Sequence, residues 1–223
     1  VLVLGDSLSA AYGISPREGW VALLEERLAS AKPIRKVVNA SISGETSAGG
    51  LARLPALLKE HAPALVVVEL GANDGLRGLP LAQLRANLAK ILEAVRGAGA
   101  RAVLVGIELP VNYGPHYRDG LRELYRGLAG EFNVPLVPFL LDGVALDPAL
   151  MQDDGLHPRA AARAAGARER VEGPRACVDV GARPAVVAHG VRSCRGRGPQ
   201  PRGLRPSAAA WAEWHMAAAP ARD

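Results

Sequence analysis

Ser7, His157 and Asp154 are the residues whose types and spacing could do chemistry together. Ser7 lies in Gly5-Asp6-Ser7-Leu8-Ser9, directly after an apolar run, and His157 lies far downstream in Asp154-Gly155-Leu156-His157-Pro158. A serine hydroxyl is a poor nucleophile at neutral pH and needs a base within hydrogen-bond reach. Asp154 stands three residues before His157, so one turn of backbone can bring its carboxylate to the imidazole. There it would fix the tautomer and stabilise the imidazolium. Asp153 is a rival, but its side chain is expected to point the other way. Each group also has a plain structural use. Ser7 could cap the turn that follows it, and the Asp–His pair could cap a last helix with Pro158 in its first turn.

A hydroxyl that attacks a carbonyl also needs donors for the oxyanion it creates. The backbone N–H of Ser7 is one candidate. Gly44 can expose its own N–H without side-chain obstruction, and Asn73 can supply a side-chain amide. Taken singly, Gly44 and Asn73 are ordinary loop and turn residues. Their occurrence in the order Ser, Gly, Asn, Asp-x-x-His, with the first three each placed after a successive strand, is what gives them meaning.

Those strands alternate with helices. Val1–Leu4 is a short apolar run ending at Gly5 and reads as a buried strand. From Glu18 to Ser30 the apolar residues Trp20, Leu23, Leu24 and Leu28 recur at helical spacing. Arg35–Ala40 is expected to be a second strand. Thr46 can cap a helix running to His61. Ala64–Leu70, apolar on both faces, is expected to be a third strand in a parallel sheet covered on both sides. A helix is expected over Leu81–Gly97, a strand over Arg101–Ile107, a helix over Tyr117–Phe132 and a fifth strand over Val134–Phe139. The pattern predicts a three-layer α/β/α sandwich with a five-stranded parallel sheet. In such sheets ligands bind beyond the carboxyl ends of the strands, near a topological switch point, where Ser7, Gly44 and Asn73 would fall.

The 223 residues suffice for one domain with an appendage. No stretch reaches the roughly 18 apolar residues that span a bilayer. Val1 already reads as strand, so the expected N-terminus, with any export signal, lies upstream. The formal net charge of +5 is unevenly spread: residues 158–223 hold 12 Arg and no Lys, while the preceding part is slightly acidic. The basic balance therefore gives the main domain no nucleic-acid or membrane-surface character. The tail is dominated by Ala, Arg, Gly and Pro. A helix could run over Ala160–Val171, but its apolar face is thin, which predicts a marginally stable chain and a loose His157 loop. Beyond Gly173 no apolar period persists. The domain is thus expected over residues 1–172 and a tail over 173–223. That tail reads either as a disordered basic extension or, the preferred reading, as out-of-frame translation of a GC-rich gene. Both cysteines, Cys177 and Cys194, lie there; their spacing permits a disulfide without requiring one.

The blocks Gly5-Asp6-Ser7-Leu8-Ser9, Asn39–Thr46, Gly71-Ala72-Asn73-Asp74 and Asp154–Pro158 closely resemble those of the SGNH (GDSL-type) hydrolases, over about residues 1–160. Gly49–Pro55, Asn73–Gly78 and Leu109–Gly114 are most similar to the bacterial thioesterase I, lysophospholipase L1 and arylesterase group. The resemblance implies a flavodoxin-like fold and hydrolysis of esters, acyl thioesters and lysophospholipids through an acyl-serine. It implies Ser7 as nucleophile, His157 as base and Asp154 as its partner, with Ser7, Gly44 and Asn73 forming the oxyanion hole. Leu76, Leu79, Leu109, Pro110 and Tyr113 would line the acyl site. It implies no metal and no organic cofactor, a small-molecule acyl substrate, a monomer, and a periplasmic or secreted setting. A carbohydrate O-acetylesterase and a non-catalytic acyl-chain binding protein are the alternatives to that activity.

Overall fold

A computed structural model describes residues 1–31 and 35–162. Five parallel strands form one sheet in the order β2-β1-β3-β4-β5. They are β1 (Leu2–Gly5), β2 (Val38–Asn39), β3 (Leu65–Glu69), β4 (Arg101–Val105) and β5 (Leu136–Val137). The helices are α1 (Trp20–Ala29), α2 (Ser47–His61), α3 (Ala72–Leu76), α4 (Leu81–Gly97) and α5 (Pro115–Phe132). β1 pairs with β2 on one side and β3 on the other, so the winding direction reverses there. Loops diverge at such a reversal and leave a crevice at the strand ends.

Period-two alternation builds two cores from the same strands. Leu2, Leu4, Val66, Val68 and Leu104 face α2, α4 and α5, where Leu54, Leu88, Ile91, Leu92, Leu121 and Leu128 pack on them. Val3, Val67, Val103, Val105 and Val137 face the opposite way, with Val21, Leu24 and Leu28 of α1. The sandwich expected from the sequence is therefore the observed architecture. Thr46 caps α2 as expected, its hydroxyl accepting from the Gly49 N–H at 3.3 Å.

The edge strands are shorter than their apolar runs predicted. β2 is confined to Val38–Asn39 rather than Arg35–Ala40, and β5 to Leu136–Val137 rather than Val134–Phe139. Each pairs on one side only, so ladder bonds define it over just two residues. The expected helix from Ala160, the 172/173 boundary and the Cys177–Cys194 pairing lie outside the described residues, in whole or for the most part.

Candidate active site

β1 ends at Gly5 and the chain turns at once, with the Ala10 N–H donating to the Asp6 carbonyl at 2.9 Å. A Cβ on Gly5 would sit 2.6 Å from Ser9 Oγ and 2.8 Å from Glu69 Oε2, so only glycine lets the turn close over β3. The turn carries Ser7 to the mouth of the crevice. There His157 Nε2 lies 2.8 Å from Ser7 Oγ, and His157 Nδ1 lies 2.7 Å from Asp154 Oδ2. The other carboxylate oxygen of Asp154 accepts the Leu156 and His157 N–H groups at 2.9 and 3.0 Å. Burial alone would raise the Asp154 pKa, but the His157 ring and these two amides outweigh it and hold the carboxyl below its usual range. Asp153 points elsewhere, as expected, and pairs with Arg159 at 2.6 Å.

The histidine segment is closely tied down. The Gln152 N–H donates to the His157 carbonyl at 2.7 Å, and Met151 bridges Pro158. Arg159 Nε donates to the Met151 carbonyl at 2.5 Å. The Gln152 side-chain amide spans the Tyr12 and Pro158 carbonyls at 2.8 and 3.0 Å. The Tyr12 ring lies against the imidazole, with centroids 4.6 Å apart. The thin-faced helix behind the expectation of a loose loop lies for the most part outside the described residues. Gln152 and Tyr12 escaped the sequence reading because nothing in their local patterns marks them.

Asn73 lies on the single-turn helix α3 immediately after β3, rather than in a simple loop. Its Nδ2 donates to the Glu45 carbonyl at 3.0 Å and to Asp6 Oδ2 at 3.3 Å. Gly44 lies one residue before Glu45, exposed, with φ of +80° and open space where a Cβ would stand. The Ile42 N–H donates to the Gly5 carbonyl at 3.1 Å, which draws this loop to the end of β1. A buried network locks the loop to α3: Asp74 accepts the Ser47 hydroxyl at 2.5 Å and the Ser47 N–H at 2.8 Å. Asn87 of α4 donates to the same hydroxyl at 3.0 Å. A carboxylate at the N-terminus of α2 is also favoured by the helix dipole.

Under Ser7 lie two buried carboxyl groups that the sequence reading did not single out, Asp6 and Glu69, both 0% exposed. Burial pushes the Asp6 pKa up to about 6, although the Leu8 amide and the His157 charge pull the other way. Burial, then the neighbouring Asp6 charge, drives Glu69 well above its ordinary value. A lone acid in the apolar run Leu65–Leu70 was the only signal available in the sequence.

A cavity of about 910 Å³ opens from Ser7, Asn73 and His157. Leu76, Leu109 and Pro110, three of the residues expected at an acyl site, line it. Leu79 and Tyr113 do not. The Leu79 carbonyl accepts from Tyr117 Oη at 2.7 Å, and Tyr113 Oη donates to the Leu76 carbonyl at 3.1 Å while its ring packs on the core. Their apolar character serves loop packing rather than the cavity wall. The segment after β5 supplies walls that the sequence reading missed, among them Phe139, Leu141, Leu146 and Met151.

A parallel sheet reversing at β1, with a hydroxyl, an imidazole and a carboxylate in line above that reversal, defines the hydrolase class built on this fold. The family model for the GDSL-like lipase/acylhydrolases matches residues 3–165, and the chain belongs to that family. It is 55% identical over 163 residues to esterase TesA of Pseudomonas aeruginosa, covering 73% of this chain and 81% of that protein. It is 52% identical over 158 residues to the thioesterase 1/protease 1/lysophospholipase L1 of Escherichia coli, covering 71% and 74%. Among solved structures, that of TesA superposes with a TM-score of 0.70 at 55% identity, covering 73% of this chain and 91% of that one. The SGNH-hydrolase family esterase AlinE4 does so at 0.65 and 37% identity, covering 77% and 96%.

Proposed function

We propose that the chain is a serine acyl hydrolase that cleaves carboxylic esters, acyl thioesters and lysophospholipids through an acyl-serine intermediate. The observation that carries this reading is the continuous line Ser7 Oγ–His157–Asp154, with contacts of 2.8 and 2.7 Å. His157 Nε2 takes the Ser7 proton as Oγ attacks the carbonyl carbon. The imidazolium so formed is stabilised by Asp154. The oxyanion receives the Ser7 and Gly44 N–H groups and the Asn73 amide, which shares with it the hydrogen of the longer, 3.3 Å contact to Asp6. His157 then protonates the departing alcohol or thiol, and the acyl group stays on Ser7. A water, deprotonated by the same nitrogen, attacks the acyl-serine, and its collapse releases the acid and restores the hydroxyl.

The names of the relatives, an esterase and a thioesterase/lysophospholipase, support the substrate classes. The cavity supports acyl chains longer than acetyl. Its volume is at the upper end of the roughly 300–1,000 Å³ usual for ligand sites, and Leu76, Leu109, Phe139 and Met151 on its walls would desolvate a chain. This disfavours the O-acetylesterase alternative. The aligned triad disfavours a pure binding protein. Action as a monomer in the periplasm or outside the cell belongs to the same reading and rests on the family resemblance. Among the described residues no helix is long and apolar enough to cross a membrane.

The test is hydrolysis of p-nitrophenyl butyrate and palmitoyl-CoA by the protein and by Ser7→Ala. Turnover of both, lost in the variant, is expected. Turnover of acetyl esters alone would favour the O-acetylesterase, and no turnover by a folded protein would favour acyl-chain binding.

A further inference from the structure

Asp6 and Glu69 lie side by side beneath the nucleophile turn, both fully buried and joined through the Asp6 N–H. Among the described residues no Lys or Arg pairs with either of them. Glu69 Oε2 accepts the Ser9 hydroxyl at 2.6 Å and the Asp6 N–H at 3.3 Å. Glu69 Oε1 is buried and has no hydrogen-bond partner among the described residues. Both Asp6 oxygens accept: Oδ1 from the Leu8 N–H at 3.0 Å and Oδ2 from Asn73 at 3.3 Å, each with a further lone pair. Two carboxylates cannot sit together in a buried site without a proton between them, because each is desolvated and each repels the other. Each Asp6 oxygen already accepts an N–H, whereas Glu69 Oε1 accepts nothing, so the proton belongs on Glu69 Oε1.

We propose that Glu69 is a positioning residue: a buried, neutral carboxylic acid that donates to Asp6 and through it fixes both the Ser7 turn and the Asn73 amide. The inference rests on the acyl hydrolase reading of the site. The shared proton keeps the pair at a single negative charge beside the place where the oxyanion forms, where a second one would oppose it. The remaining anion on Asp6 faces the imidazolium that His157 becomes. The other titratable groups around the pair are Asp74 and Tyr125, the latter buried and donating to the Leu70 carbonyl at 2.7 Å. The consequence is a pH dependence. As Glu69 loses its proton on the alkaline side, two anions crowd the site and kcat falls.

The test compares the wild type with Glu69→Gln and Glu69→Leu. Gln keeps a neutral donor of the same shape, whereas Leu keeps the bulk without the hydrogen bonds. Infrared difference spectra at neutral pH are expected to show a carboxylic-acid C=O stretch in the wild type that is missing from Glu69→Gln. With p-nitrophenyl butyrate, Leu is expected to lower kcat by about tenfold or more at unchanged KM, as a misplaced oxyanion donor would. Gln is expected to cost only a few-fold and to abolish the alkaline decline. The absence of that infrared band in the wild type would overturn the proposal, as would equal losses from Gln and Leu or an alkaline limb unchanged in Glu69→Gln. If Leu does not fold, the infrared spectrum and the pH profile of Gln decide. Turnover surviving in Ser7→Ala would instead sink the acyl hydrolase reading, and the infrared result is independent of it.

Discussion

Replacing Asp154 by Asn and by Ala should give two losses of unequal size, the isosteric change being the worse. The Asp154–His157 contact is 2.7 Å, with side-chain exposures of 37% and 17%. At that separation a carboxylate and an imidazolium attract by about 1.5 kcal/mol in water and about 6 kcal/mol at an effective dielectric of 20. The exposed carboxylate places the pair toward the lower figure, at about 2–3 kcal/mol. In the proposed mechanism an imidazolium forms as Ser7 gives up its proton, so this attraction acts on the transition state and appears in kcat. Asp154→Ala, where water can take the vacated place, should therefore lose about 30- to 150-fold in kcat. Asp154→Asn can keep its carbonyl oxygen on the Leu156 and His157 amides, which leaves its NH2 facing Nδ1. That stabilises the tautomer with the proton on Nε2, which cannot accept from Ser7, and the loss should reach about 10³-fold or more. The assay is steady-state hydrolysis of p-nitrophenyl butyrate with both variants checked for folding. An Asn variant as active as the Ala variant, or more so, would refute the reasoning.

Three further outcomes follow from the same geometry. Asn73→Ala should lower kcat by about 10²- to 10³-fold with little change in KM, since in the proposed mechanism its amide acts on the oxyanion rather than on the bound ester. Leu76→Trp should narrow the cavity; if two methylenes of a long chain are excluded, the palmitoyl-to-butyryl preference falls by about 15-fold, at ~0.8 kcal/mol each, and an unchanged ratio would remove Leu76 from the acyl path. Glu69 holds its proton in the folded state above the pH at which the unfolded chain releases it. The stabilisation it contributes is full below the unfolded pKa and is lost as pH rises toward the folded one. Denaturant unfolding should therefore show Glu69→Gln gaining on the wild type by about 1.4 kcal/mol per pH unit above roughly 4.5, until the buried group ionises; a difference independent of pH would contradict it.

The fold was legible where patterns are long. The expected helix over Leu81–Gly97 is α4 to the residue, and the apolar run Ala64–Leu70 contains β3 (Leu65–Glu69). The edge strands were over-read because an apolar run continues past the last ladder bond, and hydrophobicity does not report where pairing stops. At the site, Ser7, His157 and Asp154 stand out because the proposed roles demand particular residue types in short blocks, and the structure brings the three into contact. Leu79 and Tyr113 lie off the cavity wall, and an apolar loop residue looks the same in sequence whether it lines a cavity or supports its rim. The Asp6–Glu69 pair and the Gln152–Tyr12 contacts join residues 63 and 140 positions apart. Only the folded sheet brings such partners together.

The most direct test of the central claim is covalent labelling of the active serine. Incubation with an alkyl phosphonate ester, followed by mass spectrometry of the digested protein, should place one adduct on Ser7. Ser7→Ala should show neither the adduct nor ester turnover. An adduct on another residue, or turnover that survives in Ser7→Ala, would contradict the account.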